Sequence, residues 1–142
     1  MQILKKINFK YKYILDKTMA KIMFVDDSPL IRSILKDIAC QDDLDLEIVE
    51  ARNVDEAVAL YDAEKPDLVF MDIIIENDSR NGVDALNVIK QKDPDAKVVM
   101  CTSIAGQEHV LQQCIEGGAI DYITKPFSKE EILRAINDYL EK

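Results

Sequence analysis

Three aspartates directly follow apolar runs at two distant places in the sequence. Asp72 follows the run of residues 68–71, and the pair Asp26 and Asp27 follows the run of residues 22–25. Short runs without polar residues are typical of central strands in a parallel sheet, which are covered on both faces. The carboxyl ends of such strands meet at one edge of an open α/β sheet, where the functional crevice lies. We therefore expect the three carboxylates to lie close together.

A cluster of three carboxylates requires a compensating cation. Carboxylates that lie close together raise one another's pKa unless a positive charge lies among them. A hard divalent ion such as Mg²⁺ favours a site made only of oxygen ligands. The sequence therefore predicts that Asp26, Asp27 and Asp72 bind Mg²⁺.

Two more polar groups follow strand-like segments later in the chain. Thr102 ends the run that begins at residue 98, and Lys125 comes after the partly alternating run of residues 120–124. If these segments are neighbouring strands, a hydroxyl and an ammonium group join the three acids at the same edge. That set of groups suits the binding and transfer of a phosphoryl group.

The segments that must position these groups alternate regularly. We predict strands at residues 22–25, 46–50, 68–72, 98–102 and 120–124. The first helix is expected to begin after a cap at Asp27 or Ser28, and four further helices are predicted at residues 54–64, 83–92, 107–116 and 129–140. This order predicts an α/β fold with a flavodoxin-like, doubly wound, five-stranded parallel sheet in the order 2-1-3-4-5, with helices on both faces. The first helix carries an apolar stripe that we expect to be buried, made of Leu30, Ile31, Ile34, Leu35 and Ile38.

Length, charge and cysteine usage restrict the class of protein. A chain of 142 residues is near the commonest domain size, and its formal net charge of −9 argues against sequence-independent binding to nucleic acid. No apolar run is long enough for a membrane span, and three cysteines without metal-ligand spacing indicate buried, reduced thiols in a cytoplasmic protein.

Residues 1–18 carry five lysines and one aspartate. We interpret them as a basic extension that is either a disordered tail or an error in the assigned start, preceding one domain at 19–142.

The sequence resembles the receiver domains of two-component response regulators over residues 20–142, and in particular the stand-alone chemotaxis receivers. The resemblance covers five places in chain order: the acid pair Asp26-Asp27, the phosphoacceptor Asp72, the switch hydroxyl Thr102, the switch aromatic Tyr122 and the lysine Lys125. Any one of these matches is weak, whereas all five in order are highly specific.

The resemblance implies a single-domain response regulator in a two-component phosphorelay. Asp72 would accept a phosphoryl group from a histidine kinase or phosphotransfer protein. Mg²⁺ would be held by the carboxylates of Asp26, Asp27 and Asp72 and by the backbone carbonyl of Ile74. Lys125 would bind a phosphoryl oxygen.

The implied output is a change in protein binding, with no enzymatic activity beyond self-catalysed phosphorylation and dephosphorylation. Thr102 and Tyr122 would act as the switch, and a downstream target protein would bind the face formed by the fourth helix, fifth strand and fifth helix. Two alternatives are not decided by the sequence. One is a homodimer that depends on phosphorylation. The other is a receiver-like docking scaffold that works without phosphorylation, although all five matched positions are present.

The chain departs from the usual family pattern beside the phosphoacceptor. Glu76 stands where proline is usual, and the loop that leads to Gly82 is slightly longer, which predicts a solvated and mobile segment. Ile74 and Ile104 are both apolar, so we predict slow loss of the phosphoryl group, because they would hinder an in-line water. Ile74 also stands where an aspartyl phosphatase needs a second acid, and the acid pair would repel the phosphate of a flavin, so both of those classes are disfavoured.

Overall fold

Five strands and five helices alternate along the chain. The computed structural model describes residues 20–41, 46–103 and 108–140. The basic segment of residues 1–18 and the predicted apolar position Ile104 lie outside these ranges. The strands are β1 (Ala20–Val25), β2 (Leu46–Ala51), β3 (Leu68–Asp72), β4 (Val98–Thr102) and β5 (Asp121–Thr124). The helices are α1 (Pro29–Ala39), α2 (Val54–Glu64), α3 (Gly82–Lys92), α4 (Glu108–Glu116) and α5 (Lys129–Leu140).

The strands form one parallel sheet in the order β2-β1-β3-β4-β5. The predicted doubly wound, flavodoxin-like topology is therefore confirmed. The two partly polar strands, β2 and β5, lie at the margins, whereas every residue of β3 and β4 is buried. Because β1 and β3 are neighbours, the acids that follow them lie at adjacent strand ends.

Apolar side chains cover both faces of the sheet. On one face α1 and α5 pack against the strands, where Leu35 and Ile136 join Phe24 and Phe70. The ring centroids of these two phenylalanines are 5.5 Å apart. α2, α3 and α4 contribute to the cluster on the other face. Close packing on both faces fixes the strands, so the residues at their carboxyl ends project from a rigid support.

Polar side chains fix the first turns of α1 and α3. The Ser28 hydroxyl accepts a hydrogen bond from the Ile31 N–H, and Pro29 is the first helical residue, a position that tolerates its missing N–H. Asn81 and Asp84 form a reciprocal capping box at the start of α3. Since Ser28 caps α1, the carboxylate of the preceding aspartate is left for other contacts.

The predicted buried stripe of α1 is wrong at two positions. Leu30 is 68% exposed and Ile34 is 40% exposed, whereas Arg32 is only 9% exposed. The buried face of the helix is centred on Leu35 and Ala39, so the apolar stripe in the sequence is wider than the face that packs on the sheet. Leu30 and Ile34 fall at its margin, and Arg32 falls inside it.

The three cysteines are free thiols with different environments. Cys101 and Cys114 are buried, whereas Cys40, at the end of α1, is exposed, so the prediction of burial is wrong for Cys40. Among the described residues, none of the helices has the length and hydropathy that crossing a lipid bilayer requires.

Candidate functional site

The three predicted aspartates meet at the carboxyl ends of β1 and β3. One carboxylate oxygen from each of Asp26, Asp27 and Asp72 can be chosen so that all three atoms lie within 4.8 Å of one another. Asp26 is 3% exposed and Asp72 is 6% exposed. Asp27 is partly exposed. The three close carboxylates form an oxygen-only ligand set that suits a hard divalent cation.

Asp26 is fixed through both its backbone and its side chain. Its N–H donates to the Ala51 carbonyl at 3.1 Å. Its Oδ1 accepts from the Ser28 N–H at 2.9 Å, and its Oδ2 accepts from the Lys125 Nζ at 2.8 Å. The carboxylate orientation is therefore set by Lys125, the residue after β5, and by the backbone just before α1.

Lys125 links the acids to the end of β5. Its Nζ lies 2.8 Å from Asp26 Oδ2 and 3.3 Å from Asp72 Oδ1, and its N–H donates to the Thr102 carbonyl at 2.7 Å. The peptide bond between Lys125 and Pro126 is cis. Burial lowers the pKa of Lys125, but its hydrogen bond to Asp26 and the negative charge of Asp72 outweigh that effect and raise the pKa above its ordinary value. The ammonium is therefore charged at neutral pH.

Asp72 has an unusual acidity. Its pKa is raised from 3.8 to about 6, mainly by burial and further by the neighbouring charge of Asp26, while Lys125 partly offsets the increase. Near neutral pH Asp72 is thus a carboxylate whose charge is poorly compensated by the protein alone. A bound cation would lower this pKa and favour the ionised form.

An open cavity gives access to these groups. Its volume is about 420 Å³. The cavity is lined by Asp26, Asp27, Ser28, Ile31, Asp72, Ile74, Glu76, Ser103 and Lys125. The side chain of Ile74 is half exposed here. A group the size of a phosphoryl group can therefore approach Asp72 from solvent.

The two predicted switch residues lie on the neighbouring strands β4 and β5, in different surroundings. Thr102 is the last residue of β4 and is 7% exposed, and the next residue, Ser103, lines the cavity. Tyr122 is paired in register with Met100, two positions before the end of β5, and is 46% exposed. In this structure the tyrosine side chain therefore faces outward.

The loop between β3 and α3 is more firmly held than the sequence predicted. Asp78 accepts hydrogen bonds from the Val54 N–H at 3.1 Å and from the Arg80 N–H at 3.0 Å. Arg80 in turn forms an ion pair with Asp55 at 2.9 Å. These contacts attach the loop to the first turn of α2, so its polar composition serves local hydrogen bonds as well as solvation.

The two ends of this loop contact the site directly. The Glu76 N–H donates to Asp27 Oδ2 at 3.3 Å; a proline at this position would lack that donor. The Gly82 N–H donates to the Ile73 carbonyl at 2.7 Å. A Cβ atom at Gly82 would overlap the carbonyl oxygen of Asp72, so only glycine allows α3 to begin this close to the end of β3.

The sequence interpretation missed Arg32 and Asp78. Each makes one contact with a residue that is distant in sequence, Arg32 with Glu50 and Asp78 with Val54. The sequence signal for Arg32 was its spacing: it lies three residues before Leu35, so both side chains fall on the same side of α1. Asp78 carried no signal, because an aspartate in a polar loop is unremarkable in composition.

Comparison with protein families identifies the chain. The family model of the response regulator receiver domain matches residues 22–137. The chain belongs to this family. The match spans the sheet and the strand ends that bring the acids and Lys125 together, so the resemblance noted in the sequence is confirmed.

Curated relatives of this receiver domain are full-length matches. The chemotaxis protein CheY of Halobacterium salinarum is 44% identical over 124 residues, which is 86% of this chain and 98% of that protein. CheY of Bacillus subtilis is 38% identical over 120 residues, 84% of this chain and 97% of that protein.

Solved structures agree with the fold of the receiver domain. The receiver domain of NtrX from Brucella abortus has a TM-score of 0.75 at 30% identity and covers 85% of this chain and 98% of that one. The response regulator domain of Thermotoga maritima CheB has a TM-score of 0.74 at 32% identity, with 87% and 98% coverage.

Proposed function

We propose that this receiver domain accepts a phosphoryl group on Asp72 from a phosphohistidine of a histidine kinase or phosphotransfer protein and signals through a change in protein binding. The observation that carries the proposal is that Asp72 lines an open cavity, close to two further acids and 3.3 Å from the Lys125 ammonium. The curated relatives are named as chemotaxis proteins, which favours a chemotaxis pathway.

Charge balance supports a role for Mg²⁺ in this reaction. Asp26, Asp27 and Asp72 are acids and Lys125 is the cation among them, so the cluster carries excess negative charge that a divalent cation would neutralise. The three carboxylates and the backbone carbonyl of Ile74 would hold the ion. When bound, Mg²⁺ supplies positive charge to the nucleophile and to the oxygens of the incoming phosphoryl group.

The reaction is a transfer of phosphorus from nitrogen to oxygen. A carboxylate oxygen of Asp72 forms a bond to phosphorus while the bond to the partner's imidazole nitrogen breaks. The electron pair stays on that nitrogen, which takes a proton from solvent. Lys125 holds a phosphoryl oxygen and keeps Asp26 in place, and the rigid end of β3 holds the nucleophile in position.

The change in charge at Asp72 would be read through Thr102 and Tyr122. A phosphorylated aspartate carries additional negative charge and new acceptor oxygens, and the Thr102 hydroxyl would donate to one of them. Tyr122, which is exposed here, would then turn inward. Any such shift requires contacts that are better in one state than in the other.

A target protein would bind the face of α4, β5 and α5. Three apolar side chains are exposed on or beside α4 and β5, namely Ile115 at 61%, Ile120 at 40% and Tyr122 at 46%. Because Tyr122 belongs to both the proposed switch and this surface, phosphorylation would change the surface itself. A second copy of this chain is an alternative binding partner for this face. The molecular mass of the phosphorylated protein in solution would show whether it forms a dimer.

Intact mass spectrometry tests the proposal. The full chain is incubated with phosphoramidate and Mg²⁺, beside an EDTA control and the variants Asp72→Asn and Asp95→Asn. We expect one phosphoryl adduct, labile in base, on the unchanged protein and on Asp95→Asn, which alters an exposed acid outside the cavity. Asp72→Asn and the EDTA sample should carry none. Lack of an adduct on the unchanged protein would favour the phosphorylation-independent scaffold.

A further inference from the structure

Arg32 is a buried cation whose contacts lead to the acidic cluster. It lies on the packed side of α1 and is 9% exposed. A guanidinium group that loses its hydration is costly unless its donors are paired. Arg32 is paired: its Nε donates to Glu50 Oε1 at 3.0 Å, and its Nη1 donates to the backbone carbonyl of Asp26 at 2.6 Å.

Glu50 on β2 holds the guanidinium in position. Its other oxygen accepts from Lys36 Nζ at 3.2 Å. Burial alone raises the pKa of Glu50, but the hydrogen bonds from Arg32 and Lys36 outweigh it and lower the pKa below its ordinary value. Glu50 is therefore an ionised partner, and Arg32 is clamped between β2 and the segment that follows β1.

The bond from Arg32 reaches a sensitive point of the backbone. The carbonyl of Asp26 belongs to the planar peptide unit that joins Asp26 to Asp27. One hydrogen bond to this oxygen therefore helps to fix the orientation of the peptide plane, and with it the directions of the Asp26 and Asp27 side chains. Because this bond is made to the backbone, it uses none of the carboxylate oxygens of the two acids.

We propose that Arg32, held by Glu50, is a positioning residue that orients Asp26 and Asp27 and so sets the divalent-cation affinity of the cluster. This inference rests on the proposed function, in which the cluster binds Mg²⁺. A residue that only joined α1 to β2 would affect the stability of the fold and leave the Mg²⁺ affinity of the folded protein unchanged.

Titration calorimetry with Mg²⁺ on the folded full-length chain separates these two roles. Groups that orient metal ligands typically change metal affinity by about 10–100-fold when they are replaced. We expect Arg32→Met to bind Mg²⁺ about tenfold more weakly and Arg32→Lys about threefold more weakly, because one ammonium cannot match the fixed fork of a guanidinium. The phosphorylation rate at saturating Mg²⁺ should fall less than the affinity.

The matched control is Arg52→Met. Arg52 forms a comparable ion pair with Glu56 at 2.9 Å, but its side chain is 68% exposed and it lies outside the cavity. This variant should keep the Mg²⁺ affinity of the unchanged protein within about twofold, as expected for an exposed pair of little energetic weight.

The outcomes distinguish the inference from the function on which it rests. Absence of Mg²⁺ binding by the unchanged protein would overturn both. Binding by the unchanged protein with equal affinity in folded Arg32→Met would overturn the role of Arg32 alone. If Arg32→Met does not fold, the test uses Arg32→Lys. A Mg²⁺ affinity of Arg32→Lys equal to that of the unchanged protein would then count against the inference.

Discussion

Replacing Asp72 by asparagine should stabilise the metal-free protein at neutral pH. Burial and the charge of Asp26 raise the pKa of Asp72 from 3.8 to about 6. A difference of about two pKa units between the folded and unfolded states corresponds to about 3 kcal/mol at a pH above both values. Asparagine keeps the shape of the side chain and removes the charge, so it relieves this cost.

The pH dependence of the cost has a definite sign. Well below pH 3.8 the carboxyl group of Asp72 is protonated in both states and the cost is absent. Between 3.8 and about 6 the unfolded chain releases the proton while the folded protein retains it, so stability falls as pH rises. Above about 6 both states are ionised, and the full cost of about 3 kcal/mol is present.

Urea denaturation in EDTA from pH 4 to pH 8 measures this effect. Other acids titrate over the same range, so the quantity of interest is the unfolding free energy of Asp72→Asn minus that of the unchanged protein. The difference should be small near pH 4 and reach about 3 kcal/mol near pH 8. Asp95→Asn, an exposed acid outside the cluster, should change stability by no more than about 0.5 kcal/mol.

Adding Mg²⁺ provides a second readout. A concentration about 100 times the dissociation constant should stabilise the unchanged protein by about 2.7 kcal/mol, with much less effect on Asp72→Asn. Denaturation free energies of the two proteins that remain parallel across this pH range would refute the electrostatic reasoning. Equal stabilisation by Mg²⁺ would refute the assignment of Asp72 as a ligand.

Three further predictions concern neighbouring positions. Ile74→Asn should shorten the lifetime of the phosphoryl group on Asp72 several-fold, because asparagine would admit and orient water at the cavity that Ile74 lines. Mass spectrometry of the adduct over time measures this lifetime, with Ile74→Val as the control. An unchanged lifetime would contradict the prediction. Gly82→Ala should lower the free energy of unfolding by about 1–3 kcal/mol, because its methyl group overlaps the Asp72 carbonyl; urea denaturation that gives an unchanged midpoint would show that the close approach is not constraining. Ser28→Ala should cost about 1 kcal/mol through loss of the α1 cap, measured by thermal unfolding, with wild-type stability as the contrary result.

The parts of the fold that the sequence predicted correctly depend on local or repeated signals. The uninterrupted apolar runs before Asp72 and Thr102 predicted buried strands, and β3 and β4 are fully buried. The predicted end of α2 at residue 64 is correct, and Pro66 follows two residues later, where a helix cannot easily continue. The meeting of the three acids followed from strand direction alone, because parallel strands bring their carboxyl ends to one edge.

The parts that could not be predicted depend on contacts distant in sequence. The width of the buried face of α1 is decided by how the helix lies on the sheet, so Leu30 and Ile34 were assigned to the core and are exposed. Arg32 is buried because Glu50 and the Asp26 carbonyl pair its donors. Periodicity cannot indicate which charged residue will find such partners.

The two attachment points of the β3–α3 loop have a consequence for how the chain tolerates change in length. Asp78 is bound to the first turn of α2, and Gly82 is bound to the Ile73 carbonyl. The exposed residue Ser79 lies between these points. Residues added there would extend into solvent and would separate Asp78 from Arg80, so they would cost the hydrogen bond from the Arg80 N–H to Asp78. They would leave the bonds of Asp78 to Val54 and of Gly82 to Ile73 in place.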